Sequence, residues 1–170
     1  MTETIRRAGS GDAQILAHLS RETFTAAFGS NYDPAELAAF VDKTYDPERL
    51  RRDLADPGVA FWLLEADGTA VGYAMAGPNS LSHPLATPAC GELKRLYLLP
   101  GWQGGGRGSR LMETALAWLE RDGPRPVWIG VFSENTGALR LYARHGFAKV
   151  GEHVFVVGRH RDREFTLRRA

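Results

Sequence analysis

The sequence predicts a mixed α/β domain, and three observations carry that prediction. The hydrophobic period is helical from Ala13 to Leu54, β-like from Ala60 to Leu99, and alternates between the two thereafter. Glycine, proline and Asx clusters punctuate each change of period. The chain is 170 residues long, with 44% apolar and 24% charged residues, enough to bury one core and ordinary for one globular domain spanning 1–170.

The elements follow in order. Ile5 to Ala8 reads as a short first strand, and Gly9-Ser10-Gly11-Asp12 breaks it, with Ser10 or Asp12 as the N-cap of a helix. Ile15, Leu16, Leu19, Thr23 and Phe24 recur at helical spacing to about Phe28. Asp33-Pro34 starts a second helix, with the aspartate as cap and proline at the first helical position, ending near Tyr45. Asp46-Pro47 opens a third, stopped by Asp56-Pro57-Gly58. Ala60 to Glu65 and Ala70 to Gly77 form a strand pair around the hairpin turn Ala66-Asp67-Gly68-Thr69. A polar loop from Pro78 to Pro88 precedes a strand from Glu92 to Leu99. A helix from about Ser109 to Arg121 carries the apolar stripe Leu111, Met112, Ala115, Leu116 and Leu119. Pro126 to Phe132 is a strand, and Asn135 caps a helix from Thr136 to about His145, closed by Gly146. Phe147 to Val150, His153 to Val157 and Glu164 to Leu167 read as the last strands.

The stretch between the strand ending at Leu99 and the helix near Ser109 bears most on function. It reads Pro100-Gly101-Trp102-Gln103-Gly104-Gly105-Gly106-Arg107-Gly108-Ser109. Glycines let a backbone approach a phosphate, and a helix N-terminus offers unpaired N–H groups to an anion. A Walker A loop is excluded because Gly106 is followed by Arg107-Gly108 rather than Lys-Ser/Thr. The dinucleotide fingerprint G-x-G-x-x-G fails from Gly104, where Ser109 stands third, and from Gly106, where Leu111 does. What remains is Gln-x-x-Gly-x-Gly at Gln103, Gly106 and Gly108; a plain strand-to-helix turn is the competing reading.

Downstream lies Asn135-Thr136-Gly137-Ala138-Leu139-Arg140-Leu141-Tyr142-Ala143-Arg144-His145-Gly146-Phe147. Asn135 and Tyr142, seven positions apart, share one side of a helix. The glycine loop resembles the pyrophosphate-binding loop of the GNAT N-acetyltransferase superfamily. The second stretch resembles that family's N-x-x-A-x-x-x-Y-x-x-x-G-F motif at every named position, and the order of elements matches over nearly the whole chain. The resemblance implies a mixed, mostly antiparallel central sheet flanked by helices, and acetyl-CoA as co-substrate. It implies that the cofactor lies against Gln103, Gly104, Gly105, Gly106, Arg107, Gly108, Ser109 and Asn135, and against the main chain of Leu96, Tyr97 and Leu98, where the strand splays and frees amides for the thioester oxygen. Tyr142 then stands near the sulfur as proton donor; a thiol and a phenol, with pKa values of about 8.5 and 10, are close enough to exchange a proton. Glu92 holds the place of the general-base glutamate of several members; a half-exposed glutamate paired with Lys94 competes evenly. Glu22 and Asp33 are the alternative carboxylates.

The resemblance further implies a primary amine of a small molecule or a peptide as the acceptor. Arg21-Glu22-Thr23-Phe24 through Phe28, Tyr32 and Tyr45, with Glu92-Leu93-Lys94-Arg95, resembles the polyamine-acetylating branch. Residues 1–50 hold eight acidic and five basic residues, mildly favourable to a cation. A non-catalytic acyl-CoA-binding or sensing module on the same fold is the alternative.

A net charge of +1 gives no global field for nucleic acid or membrane. No run approaches the roughly 18–20 apolar residues of a membrane span, and no signal-peptide pattern opens the sequence, so a cytoplasmic protein is expected, as monomer or homodimer. One cysteine, Cys90, excludes an internal disulfide and a cysteine zinc site, and reads as a small buried residue. His83, His153 and His160 lack metal-ligand spacing and read as surface or loop histidines, so no metal is expected. The tail arginines, interrupted by Asp162 and Glu164, read as a solvated edge.

Overall fold

In the computed structural model, which describes residues 1–170, the chain forms β1 (Glu3–Arg7), α1 (Ala13–Phe28), α2 (Pro34–Thr44), α3 (Pro47–Ala55), β2 (Ala60–Ala66), β3 (Thr69–Pro78), β4 (Gly91–Leu98), α4 (Arg107–Leu119), β5 (Val127–Phe132), α5 (Thr136–Arg144), β6 (Ala148–Val157) and β7 (His160–Arg169). One seven-stranded sheet has the order β1-β2-β3-β4-β5-β7-β6. Every neighbouring pair is antiparallel except β4 and β5. This is the mixed, mostly antiparallel sheet expected.

Local chemistry sets the element boundaries. Pro34 and Pro47 sit in the first turns of α2 and α3, where a missing N–H costs nothing. Asp46 caps α3 by accepting from the Arg49 amide at 3.1 Å, and Asn135 caps α5 by accepting from the Ala138 amide at 3.2 Å. Asp33 makes no capping bond with its side chain. Asp12 does not cap α1 either. Its carboxylate instead receives Nη1 and Nη2 of Arg6 at 2.9 and 2.8 Å and the Gly9 amide at 2.8 Å. Asp67 and Gly68, both at positive φ, turn β2 into β3.

Two apolar layers cover the sheet. On one face α4 packs Leu111, Met112, Ala115 and Leu116, and α5 packs Tyr142, into one layer with Ala74, Leu93, Val127 and Ile129. On the other, α1 and α3 pack Leu16, Leu19 and Leu50 onto Phe61, Leu63, Tyr73 and Met75. A third, aromatic cluster of Phe24, Tyr32 and Tyr45 with Val41 and Val157 joins α1 and α2 to the β6–β7 hairpin. No helix is long and apolar enough to cross a membrane.

Several boundaries differ from the expectation, among them the last strand, which runs His160–Arg169 rather than Glu164–Leu167. The helix after the glycine loop starts at Arg107 rather than Ser109, because Gly106 at φ +78° ends the turn and Arg107 already has helical backbone. The two short tail strands before Gly158 are one ten-residue strand, β6, interrupted by a register shift between Lys149 and Gly151.

Candidate active site

The site begins at a fault in the sheet. β4 and β5 pair only at Gly91↔Val127 and Glu92↔Trp128. Beyond those rungs β4 stays with β3 as far as Gly72↔Leu98, while β5 stays with β7 from Val127↔Arg169 to Phe132↔Glu164. Each strand therefore turns an unpaired row of amides and carbonyls to the gap. The gap opens into a cavity of about 860 Å³ whose walls include Leu96, Tyr97 and Leu98 on one side and Ile129, Gly130 and Val131 on the other. A bulge at Lys94, between the pairs Met75↔Arg95 and Ala76↔Leu93, shifts the facing of β4 beside this opening.

The glycine loop closes one end. Gly104, Gly105 and Gly106 have φ of +85°, +64° and +78°, a run that residues with side chains adopt only at a cost. At Gly104 and Gly106 an added Cβ would meet nothing within 4 Å. The conformation, and not crowding, demands glycine, and the space over the loop is open. The first amides of α4 face it with no intrahelical partner. Positive-φ amides followed by a helix N-terminus form a cradle, an arrangement suited to an anion.

Gln103, Gly104, Gly106, Gly108 and Ser109 line the cavity; Gly105 and Arg107 do not. The Arg107 guanidinium is turned to Glu3 of β1, donating from Nε and Nη2 at 2.9 and 2.6 Å, and lies 5.2 Å from the Trp102 ring. It staples the base of the loop to the sheet and does not project into the cavity. Gly108 serves a further purpose: its Cβ would lie 3.1 Å from Leu141 Cδ2, so glycine lets α4 approach α5 closely.

Helix α5 brings Asn135 and Tyr142 to the same cavity. Tyr142 is buried, its ring edge-on to Phe147 at 6.2 Å. Burial, and then the charge of Glu164, push its phenol well above the ordinary value. The hydroxyl keeps its proton at neutral pH and can donate, but it is a weaker acid than an unperturbed phenol, so the close match to a thiol expected from the sequence is not kept.

Glu92, also buried, lines the cavity too. Its Oε1 accepts from the Ser80 amide and Ser80 Oγ, both at 2.8 Å, and from Lys94 Nζ at 3.1 Å. Glu92 is therefore buried rather than half-exposed, is paired with Lys94 as expected, and lines the cavity with no hydrogen-bond partner on Oε2. Glu22 and Asp33 are exposed and lie outside the cavity wall, so neither joins the site.

Of the three histidines, His153 departs from the expectation, whereas His83 lies in a loop and His160 at the surface. His153 is part of the cavity wall, with Nε2 2.8 Å from Glu164 Oε1 and Nδ1 2.7 Å from Thr166 Oγ1. His160 stands 2.8 Å from Asp162 Oδ1, and the Tyr32 hydroxyl donates to Asp162 Oδ2 at 2.5 Å. His83 contacts the Val150 carbonyl at 3.1 Å. Metal spacing was the wrong test for His153, because its partner is set by strand pairing. The tight turn at Gly158-Arg159 places Val157 opposite His160, and counting outward puts His153 opposite Glu164. Glu164 and Asp162 are thereby cavity residues, not a solvated edge. Cys90 is buried and outside the cavity. No group of three or more His, Cys, Asp or Glu side chains is arranged to hold a metal ion.

Comparison with known proteins agrees with this geometry. The acetyltransferase (GNAT) family model matches residues 16–147. An uncharacterized N-acetyltransferase in the pepI 3′ region of Lactobacillus delbrueckii subsp. lactis is 34% identical over 152 residues, covering 89% of this chain and 88% of the relative. An uncharacterized N-acetyltransferase of Mycobacterium tuberculosis is 35% identical over 156 residues, 92% of this chain and 96% of the relative. Among solved structures, the PaiA N-acetyltransferase of Thermoplasma acidophilum in complex with coenzyme A superposes with a TM-score of 0.80, covering 99% of each chain at 20% identity.

Proposed function

This chain belongs to the GNAT acetyltransferase family, and on that premise we propose that it transfers the acetyl group of acetyl-CoA to a primary amine of a small molecule or peptide by direct attack. The observation that carries the reading is the meeting of three features at one cavity: the β4–β5 gap, the positive-φ loop before α4, and the Tyr142 hydroxyl. The structural relative with coenzyme A bound supports acetyl-CoA as the donor.

The residues present fit such a donor. Gln103, Gly104, Gly106, Gly108 and Ser109 hold its diphosphate through main-chain amides, and the unpaired edge of Leu96 to Leu98 binds its amide-bearing arm. The cofactor supplies the activated acyl carbon. The amine must reach that carbon neutral, whereas a lysine-type amine has a pKa near about 10.4. Glu92 takes the proton from the ammonium nitrogen through Oε2, directly or through one water, while Ser80 and Lys94 fix the carboxylate in place. As the new N–C bond forms and the C–S bond breaks, Tyr142 Oη gives its proton to the sulfur, and the second proton shed by the acylated nitrogen restores the phenol through water. Backbone N–H groups of β4 receive the developing charge on the acyl oxygen without reorganising.

The finer expectation of a polyamine acceptor fits the three carboxylates of the wall, Glu92, Asp162 and Glu164, but not Arg95, a wall cation that makes no ion pair. Incubation with acetyl-CoA and a panel of amines, followed by release of free thiol, tests the proposal. Amine-dependent release is expected. Tight coenzyme A binding without it would establish the non-catalytic binding module instead.

A further inference from the structure

Arg95 is the one charged side chain of the cavity that is both enclosed and unpaired. Lys94 is matched by Glu92 and His153 by Glu164, and Arg140 and Arg144 are exposed to solvent. The side chain of Arg95, half-buried, takes part in no ion pair, and its Nη1 is buried without a partner in hydrogen-bond geometry. An aromatic face holds it: the guanidinium carbon lies 5.0 Å from the Tyr45 ring centroid. Ser20 Oγ and Tyr73 Oη, within reach but not in hydrogen-bond geometry, are also buried and unpartnered.

An arginine of five donors and no acceptor, drawn out of water, is costly to keep. Cation–π contacts recover only part of that cost. The lysine bulge puts Arg95 on the α1–α2 side of β4, beside Tyr97, and so on the side of the cavity away from the α4 glycine loop. At the other wall stand the carboxylates of β7, and Glu164 is the one whose charge reaches the Tyr142 hydroxyl. The cavity thus has an anionic side near the proton donor and a bare guanidinium apart from it.

We propose that the acceptor is a small amine that also carries a carboxylate, as a free amino acid does, and that Arg95 receives this carboxylate in a bidentate pair while the amine is directed to Tyr142. The planar fork of arginine matches a carboxylate, and a buried charge-assisted pair discriminates strongly against a substrate that leaves it unmade. A polyamine brings no anion and adds like charge beside Arg95. This inference rests on the acetyltransferase reading above.

Matched acceptors test it: L-lysine against cadaverine, and L-ornithine against putrescine, each pair differing by one carboxylate. With thiol release as the readout, kcat/KM for the amino acid should exceed that for the diamine by at least about tenfold. In Arg95→Met that ratio should collapse towards one, chiefly through a rise in KM for the amino acid, and Arg95→Lys should keep an intermediate ratio. A coenzyme A-dependent rise in melting temperature checks that each variant is folded. A wild-type ratio at or below one overturns the inference without reference to any variant, as does an unchanged ratio in folded Arg95→Met. No thiol release with any amine overturns the acetyltransferase reading and this inference with it. That outcome is distinct from acetylation of amines without regard to the carboxylate, which overturns the inference alone.

Discussion

Gly106 and Gly101 make a controlled pair for the anion cradle. Both have positive φ, +78° and +86°, and at both an added Cβ would meet nothing within 4 Å. Only Gly106 lines the cavity. Placing alanine in the left-handed region costs about 1–2 kcal/mol at either site. For a chain of this length that lowers Tm by roughly 2–8 °C, equally in Gly101→Ala and Gly106→Ala. The two should part on coenzyme A affinity. A methyl group over the cradle blocks one charge-assisted bond from the main chain, worth about 1.5–3 kcal/mol, so Kd should rise roughly 10- to 100-fold in Gly106→Ala. Gly101→Ala should bind as the natural chain does. Thermal melts and titration calorimetry with coenzyme A read the two quantities separately. An equal loss of affinity in both variants, or none in Gly106→Ala, would refute the assignment of the loop to the diphosphate.

Three further perturbations probe the chemistry and the scaffold. Tyr142→Phe should lower kcat by about 10²–10⁴. Because burial raises the phenol, the natural chain should show no loss of kcat below about pH 10 from deprotonation of this group; a fall at lower pH that Tyr142→Phe abolishes would contradict the donor role. Glu92→Gln should lose most at pH 7 and least near pH 10, where the amine sheds its own proton; a pH-dependent deficit in Glu164→Gln instead would move the base to β7. Asp12→Ala should cost about 1.5–3 kcal/mol in urea unfolding, since it strands the Arg6 guanidinium and the Gly9 amide. The bonds from Arg6 hold Asp12 below the usual carboxylate value. Its contribution is therefore full above about pH 4 and lost as pH falls through the folded value, so the two chains should converge in acid.

Much of this arrangement could be read from the residues in order. Caps such as Asn135, prolines in first turns, and the apolar stripe of α4 are local signals, and local signals survive without knowledge of the fold. Tyr142 and the loop glycines were legible because their spacing is set by one helix or one turn. Arg107 was not, since nothing local says that its side chain reaches back to Glu3, 104 positions away. His153 and Glu164 meet through the hairpin register, which depends on reading Gly158-Arg159 as a tight turn and on a single long β6. Arg95 stood out in the sequence only within Glu92-Leu93-Lys94-Arg95, the stretch that resembles the polyamine-acetylating branch. Only the bulge at Lys94 and the packing of Tyr45 reveal that it is enclosed.

The two-rung junction between β4 and β5 also has a mechanical side. The hydrogen-bonded lattice of the sheet falls into a four-stranded and a three-stranded panel, hinged at Glu92 and Trp128 and otherwise held by the apolar layer under α4 and α5. A guest that bonds to both open edges spans the hinge like a strut. Rigidity would then rise and fall with each loading and discharge, and amide exchange along Leu96–Leu98 and Ile129–Val131 would record which phase of the cycle the molecule is in.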